Sequence, residues 1–444
     1  MASRRFSLRG EGGWVPRWTT VGMLGLLSIS LVRRHRRRRL RIPEHPHSTT
    51  PLPRESWRVL ILSASVGGGH NAAAAVIQSD LSQAGHCACV VDGLALASPR
   101  LNRYFQWAYP WQLRYVPWLY DWQIRLSNGR RAARAVRRLC ASLWSERLLD
   151  LVELTRPDLI VSTYPLMTAA LGQLRALGQL QCPCVAVVTD YGVHRLWTAP
   201  GIDLHLVVSK ESRRQAVDAN GRVEVMQPLV NPAYRVLRDR EAARARLNLP
   251  RASFIALVVG GAWGIGDLEE IAVDVVASGV FTVVVCGRNA ALASRLASRF
   301  EGVNTVRVLG WTDELPWYMA AADCLVQSAG GLTCLEAVAA RLPIVLYRPI
   351  AGHGRLNAEA MERAGAAYWA RSAGELQALL RAAADGDIRI PPPEVEAGLP
   401  ASAALLSLLP RGATCAPVSC ETESPEISTG EAELGRLVPS GSME

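Results

Sequence analysis

From Trp57 onward the chain alternates short apolar, β-branched runs with helical periods, and few folds accommodate that pattern. Val59–Leu62, Leu159–Ser162 and Val185–Thr189 belong to a first series. A second begins with FIALVV after Ser253 and continues through Phe281–Cys286, Thr305–Leu309, Cys324–Gln327 and Pro343–Tyr347. Runs that are apolar throughout, with no polar alternation, are strands buried on both faces, which implies parallel sheets covered by helices. Between the two series lies QPLVNPAYRVLRDREAARARLNLP, with proline at both ends and a charged helical middle. The reading is an α/β chain with two Rossmann-like domains, residues 57–228 and 251–410, joined by a linker at 229–250. Residues 1–56 form a basic arm, and the Ser/Glu/Pro tail at 411–444 lacks the apolar content to repay its own ordering. Two doubly wound sheets in tandem set their strand carboxyl ends face to face, so ligands are expected in the cleft between them.

The charge distribution excludes one class of partner. The formal net charge is +10, and residues 1–41 alone hold eleven Arg and one Glu, so the remaining chain sums to zero. A neutral body lacks the arginine- and lysine-striped face of a nucleic-acid-binding fold; the arm suits an anionic membrane surface instead. Its apolar stretch, residues 21–32, is too short to span a bilayer core of about 30 Å and fits an interfacial anchor. No small-residue cleavage site follows the charged start, so the expected location is cytoplasmic, peripheral to the inner face of the cell membrane. The cysteines form no paired C-x-x-C sets, which speaks against a zinc site.

Two glycine-rich segments carry the chemistry. Ser65–Val66–Gly67–Gly68–Gly69–His70 follows the first strand and opens a helix, a turn whose exposed amides and helix dipole attract an anion or an oxygen-rich ligand. A P-loop is excluded because no lysine follows the glycines. A dinucleotide fingerprint stays open, since Gly67-x-Gly69-x-x-Ala72 with Asp92 twenty residues later matches it. In the second domain Gly330–Gly331–Leu332–Thr333–Cys334–Leu335–Glu336 repeats the strand–turn–helix device, with amides and a hydroxyl for a pyrophosphate and Glu336 on the same helix face, able to accept from ribose hydroxyls. The bland alternative for Thr333-x-x-Glu336 is a capping box. Residues 103–122 hold nine aromatics interleaved with Arg and Pro, suited either to a lipid headgroup region or to a helical hairpin packed on the first domain.

These motifs, together with TDYGVHRLW at 189–197, VCGRNAAL at 285–292, VLGWTDELPWYMAAADCLV at 308–326 and GGLTCLEAVAARLPIVLYRPIAGHGRLNA at 330–358, resemble the monogalactosyldiacylglycerol synthase and processive diacylglycerol glucosyltransferase family, and the related peptidoglycan N-acetylglucosaminyltransferase. The resemblance covers roughly residues 57–410 and implies the two-lobed GT-B glycosyltransferase fold. It implies an inverting transfer of a hexose from a UDP-sugar to a diacylglycerol-like lipid. Trp311 then lies near the uracil, Gly331, Leu332 and Thr333 at the diphosphate, and Glu336 on the ribose. Gly261 and Trp263 face the phosphates across the cleft, and His353 and Asn357 are donor-side contacts. His353 stands where Gln is common in the family and Gly354 where Glu is common. His70 is the expected base; Asp190 and His194 are a second pair, Asp190 either orienting an imidazole or contacting the acceptor. Gly69, His194, Trp107 and Trp111 fall on the acceptor side. The resemblance implies no metal and no cofactor beyond the donor. A sugar-nucleotide epimerase on the same fold and an NAD-dependent oxidoreductase are the competing functions.

Overall fold

The computed structural model describes residues 56–66, 68–216 and 219–409, so the basic arm and the C-terminal tail lie outside the described residues, as does Gly67. Among the described residues, twelve strands form two all-parallel, six-stranded sheets. The first contains β1 (Arg58–Ser63), β2 (Cys87–Asp92), β3 (Leu159–Ser162), β4 (Cys184–Val187), β5 (Leu204–Val207) and β6 (Arg222–Val225) in the order β2-β1-β3-β4-β5-β6. The second contains β7 (Ile255–Val259), β8 (Phe281–Val285), β9 (Val306–Leu309), β10 (Cys324–Gln327), β11 (Ile344–Leu346) and β12 (Tyr368–Trp369) in the order β12-β11-β10-β7-β8-β9. These are the two Rossmann-like lobes expected. Central strands are buried throughout, as IALVV at Ile255–Val259 shows, because helices cover both faces of each sheet.

The order of strands decides where ligands sit. In the second sheet the chain leaves β7 toward one edge and returns to β10 on its other side; in the first the reversal falls between β1 and β3. Crevices open at such switch points, outside the strand carboxyl ends. Three glycine-rich segments lie there: Gly68–His70 after β1, Gly260–Gly264 after β7 and Gly330–Gly331 after β10.

The linker is structured. Asn231 caps a 3-10 turn at Pro232–Tyr234, and Asp239 caps a helix at Arg240–Arg246. Arg244 from that helix is buried, its Nε donating to the Ala321 carbonyl at 2.9 Å and an Nη reaching Asp323 at 2.7 Å. The domain boundary read from the sequence needs one correction. Residues 396–406, grouped there with the second domain, return to the first: Leu399 exchanges backbone bonds with Val225 and Gln227, and the helix Ala401–Leu406 packs on the helix Gly69–Gln83. The apolar side chains of that short helix, Ala401, Ala404 and Leu405, are buried by this return.

The aromatic-rich segment is two helices, Pro99–Tyr115 and Pro117–Ser127. Pro117 explains the break: it disfavours helical geometry at Val116, whose φ of −140° is extended, and then serves as the first residue of the next helix.

Candidate active site

Gly68 takes the left-handed conformation, φ 84°, and caps the helix Gly69–Gln83, so the chain turns sharply out of β1 and delivers His70 in the first helical turn. The imidazole is half-buried. Its Nδ1 lies 3.3 Å from Thr189 Oγ1, the ring meets Tyr164 edge-on at 5.1 Å, and its backbone carbonyl accepts from Thr163 Oγ1 at 3.2 Å. Burial lowers the His70 pKa below the ordinary histidine value, opposed by the negative charge of Asp190. The ring is therefore neutral near pH 7, the form a base requires.

The first-lobe turn touches the second lobe directly. A Cβ at Gly68 would lie 3.5 Å from the Ala262 Cβ, and one at Gly69 3.5 Å from the Leu332 Cβ. Asp190 crosses the same gap. Its Oδ1 accepts from Asn357 Nδ2 at 3.1 Å, and it sits against the start of the helix Gly331–Ala339, where a Cβ at 331 would come within 2.9 Å of it. The carboxylate thus occupies the point that unpaired amides and the helix dipole make attractive to an anion. Asn357, expected on the donor, is instead an interlobe tie. It donates to Asp190 and to the Ala329 carbonyl, and its Oδ1 accepts from the Gly192 N–H at 2.9 Å, which uses both amide hydrogens and one acceptor site.

In the second lobe Thr333 and Glu336 lie on the buried face of their helix. The capping-box alternative fails, because Gly330 and not Thr333 is the cap, its own N–H donating to Gln327 Oε1 at 2.7 Å. Burial pushes the Glu336 carboxyl up to about 8, and Tyr234 of the linker hydrogen-bonds it. Trp311 is 53% exposed, with the Arg288 guanidinium 4.5 Å from its ring centroid and its Nε1–H donating to Asp313 at 3.1 Å. An indole open on one face and held by a cation on the other is a stacking platform for a base. Gly261 and Trp263 lie in the turn after β7, and the Trp263 ring is 6.3 Å from Tyr109 of the first lobe.

The dinucleotide alternative does not survive this geometry. Asp92, which would bind a ribose, accepts from the amides of Leu94 and Ala95 with Oδ1 and from Ser65 with Oδ2. It is a helix cap that also ties down the first-lobe turn.

Residues 70–228 match the family model described as monogalactosyldiacylglycerol (MGDG) synthase, and residues 263–383 match glycosyl transferases group 1. The first lobe is thus similar to that synthase family and the second to the group 1 glycosyl transferases. A processive diacylglycerol beta-glucosyltransferase from Bacillus cereus is 28% identical over 257 residues, a match spanning 56% of this chain and 66% of the relative. Similar solved structures include the glycosyltransferase SnogD from Streptomyces nogalater, at 18% identity and TM-score 0.49, covering 80% of this chain and 99% of the other. MurG from Acinetobacter baumannii is similar at 15% identity and TM-score 0.47, with the same coverage.

Two acceptor-side expectations resolve differently. His194 is buried and committed: the Leu196 N–H donates to its Nδ1 at 3.2 Å, so Nε2 carries the hydrogen and donates to the Ile124 carbonyl at 3.1 Å, beside Ser127 Oγ. Burial lowers its pKa to about 4, and neither nitrogen is left for an acceptor; its part is to hold the helix Pro117–Ser127 in place. Trp107 and Trp111, by contrast, are exposed and stacked on each other, 5.8 Å apart and 20° from parallel. They belong to a stripe in which Tyr104, Trp107, Trp111, Tyr115, Trp118 and Trp122 are each more than 40% exposed. The spacing of three and four places this row on one side of each helix.

Sequence reasoning missed Tyr109, Tyr120 and Asp121, the inward-facing members of the same helices, which meet His353 and Gly352 across the cleft. It also missed Tyr234, which reaches Glu336 from the linker, and Arg288 behind Trp311.

Proposed function

We propose that the chain transfers a hexose, with inversion, from a UDP-sugar to a diacylglycerol-like lipid at the inner membrane surface. The observation that carries this reading is the meeting, through Asp190, of His70 on the first lobe with an anion-attracting helix start at Gly331 on the second. With Nδ1 engaged at Thr189, Nε2 of His70 is the nitrogen that takes the acceptor hydroxyl proton as the oxygen attacks the anomeric carbon. The carbon–oxygen bond to the diphosphate breaks on the opposite side, and UDP leaves. Asp190 stabilises the imidazolium that forms, since its charge favours the protonated ring. The amides at Gly331–Thr333, with a helix dipole contributing about 0.3–2 kcal/mol, receive the departing charge, and no cofactor beyond the donor enters the reading. Trp311 takes the uracil and Glu336 the ribose.

The exposed aromatic stripe supports the lipid side. Six large rings left on one surface suit a headgroup region, where one end of each ring is wet and the other apolar. Among the described residues no helix is long and apolar enough to cross a membrane.

Calorimetric titration with UDP and with NAD tests the nucleotide half, and mass spectrometry of lipid extracts incubated with UDP-glucose, UDP-galactose and UDP-N-acetylglucosamine tests the transfer. Binding of UDP and a hexosyl-lipid product are expected. Binding of NAD in place of UDP overturns the reading.

A further inference from the structure

Helices Pro99–Tyr115 and Pro117–Ser127 have two functional sides. The outer one is the aromatic stripe. From the inner one Tyr109 and Tyr120 enclose His353 of the second lobe: the Tyr109 hydroxyl lies 3.5 Å from its Nε2 and the Tyr120 hydroxyl 3.3 Å from its Nδ1. The rings pack as a cluster, Tyr109 to Tyr120 at 5.7 Å and Tyr109 to Trp263 at 6.3 Å. One residue earlier, the Gly352 N–H donates to Asp121 Oδ1 at 3.1 Å, and a Cβ at 352 would come within 2.8 Å of both Tyr120 and Ile124. The loop entering the helix His353–Arg363 is therefore set by the first lobe.

We infer that Tyr109 and Tyr120 determine donor-sugar specificity together with His353, and that Asp121 positions their shared loop through Gly352. The inference rests on the donor-side reading of His353 proposed above. A neutral imidazole donates at one nitrogen and accepts at the other, and the two flanking hydroxyls can satisfy both nitrogens in either tautomer. Burial lowers the His353 pKa and keeps it in that neutral form. Each tyrosine hydroxyl, after serving the imidazole, retains hydrogen-bonding capacity for a sugar hydroxyl. A chain of hydroxyl, imidazole and hydroxyl, with Trp263 beside Tyr109, thus surrounds position 353, and it is complete only when both lobes are together.

Steady-state kinetics of Y109F, Y120F, D121N and D121A, beside the wild type, test this with UDP-glucose, UDP-galactose and UDP-N-acetylglucosamine, and UDP affinity is measured separately. The phenylalanine variants should raise the KM for the preferred donor roughly three- to tenfold, the loss of one neutral hydrogen bond, and change the ratio of kcat/KM among the three sugars. UDP affinity should stay within about twofold of the wild type, because these residues meet the sugar and not the nucleotide. D121N keeps an acceptor oxygen for Gly352 and should preserve the donor KM, whereas D121A should raise it. Unchanged KM and sugar preference in Y109F and Y120F, with UDP still bound, overturns this inference alone. Absence of UDP binding by the wild type overturns the donor reading and this inference with it.

Discussion

Asp190 of the first lobe lies so close to Gly331 of the second that a β-carbon at 331 would fall 2.9 Å from its Oδ1. Only glycine opens the helix there without displacing the carboxylate. The contact sets a negative group at a helix start that the proposed reaction assigns to a diphosphate, and the two must share or exchange that position.

A consequence follows for the neutral variant. D190N removes a charge beside the phosphates and removes the stabiliser of the His70 imidazolium. A unit charge pair at 4 Å is worth about 4 kcal/mol at an effective dielectric of 20, and partial exposure reduces this. UDP should bind roughly tenfold more tightly, about 1.4 kcal/mol, while turnover falls. Calorimetry and a UDP-release assay read the two effects; weaker UDP binding in D190N removes the competition.

Glu336 predicts a pH dependence of stability. Its folded pKa is raised from 4.5 to about 8 by burial, so the carboxyl is protonated in the folded chain at pH values where the unfolded chain has already ionised it. The stability associated with this group is fully present below about pH 4.5 and is lost as pH rises through about 8. Thermal melts of the wild type and E336Q should diverge across that window, the variant losing less Tm as pH rises. Parallel curves would mean that Glu336 does not titrate with folding.

The aromatic stripe makes a separable prediction. Replacing Trp107, Trp111 and Trp118 together with serine should leave the melting temperature within a few degrees, because all three are exposed. Co-sedimentation with vesicles of equal phosphatidylglycerol and phosphatidylcholine should fall at least several-fold. Equal sedimentation of wild type and variant would take the stripe out of membrane contact.

Much of this was legible in the sequence because strand burial and glycine placement are local. Apolar runs such as Ile255–Val259 show parallel strands, and the glycines at 68–69 and 330–331 mark the two switch points without knowledge of the strand order. The competing readings of Asp92 and of Thr333 with Glu336 were not separable from spacing, since a cap and a ligand use the same residue types. The surroundings of His194 and Asn357 were hidden for a different reason: besides Ser127 and Asp190, their partners at Ile124, Leu196, Gly192 and Ala329 are backbone groups, and backbone contacts leave no trace in residue identity. Tyr109 and Tyr120 were hidden by composition. Counting nine aromatics merges two sides that the spacing 104, 107, 111, 115, then 118, 122, separates from 109 and 120.

The imidazole at position 70 is where the proposed chemistry is most exposed to disproof. Hexosyl-lipid formation by H70A should be measured by mass spectrometry under single-turnover conditions, with UDP affinity determined on the same preparation. The expected result is product formation reduced about 10²–10⁴-fold with UDP affinity nearly unchanged. Product formed by H70A at the wild-type rate, with UDP bound as before, contradicts the assignment of the base.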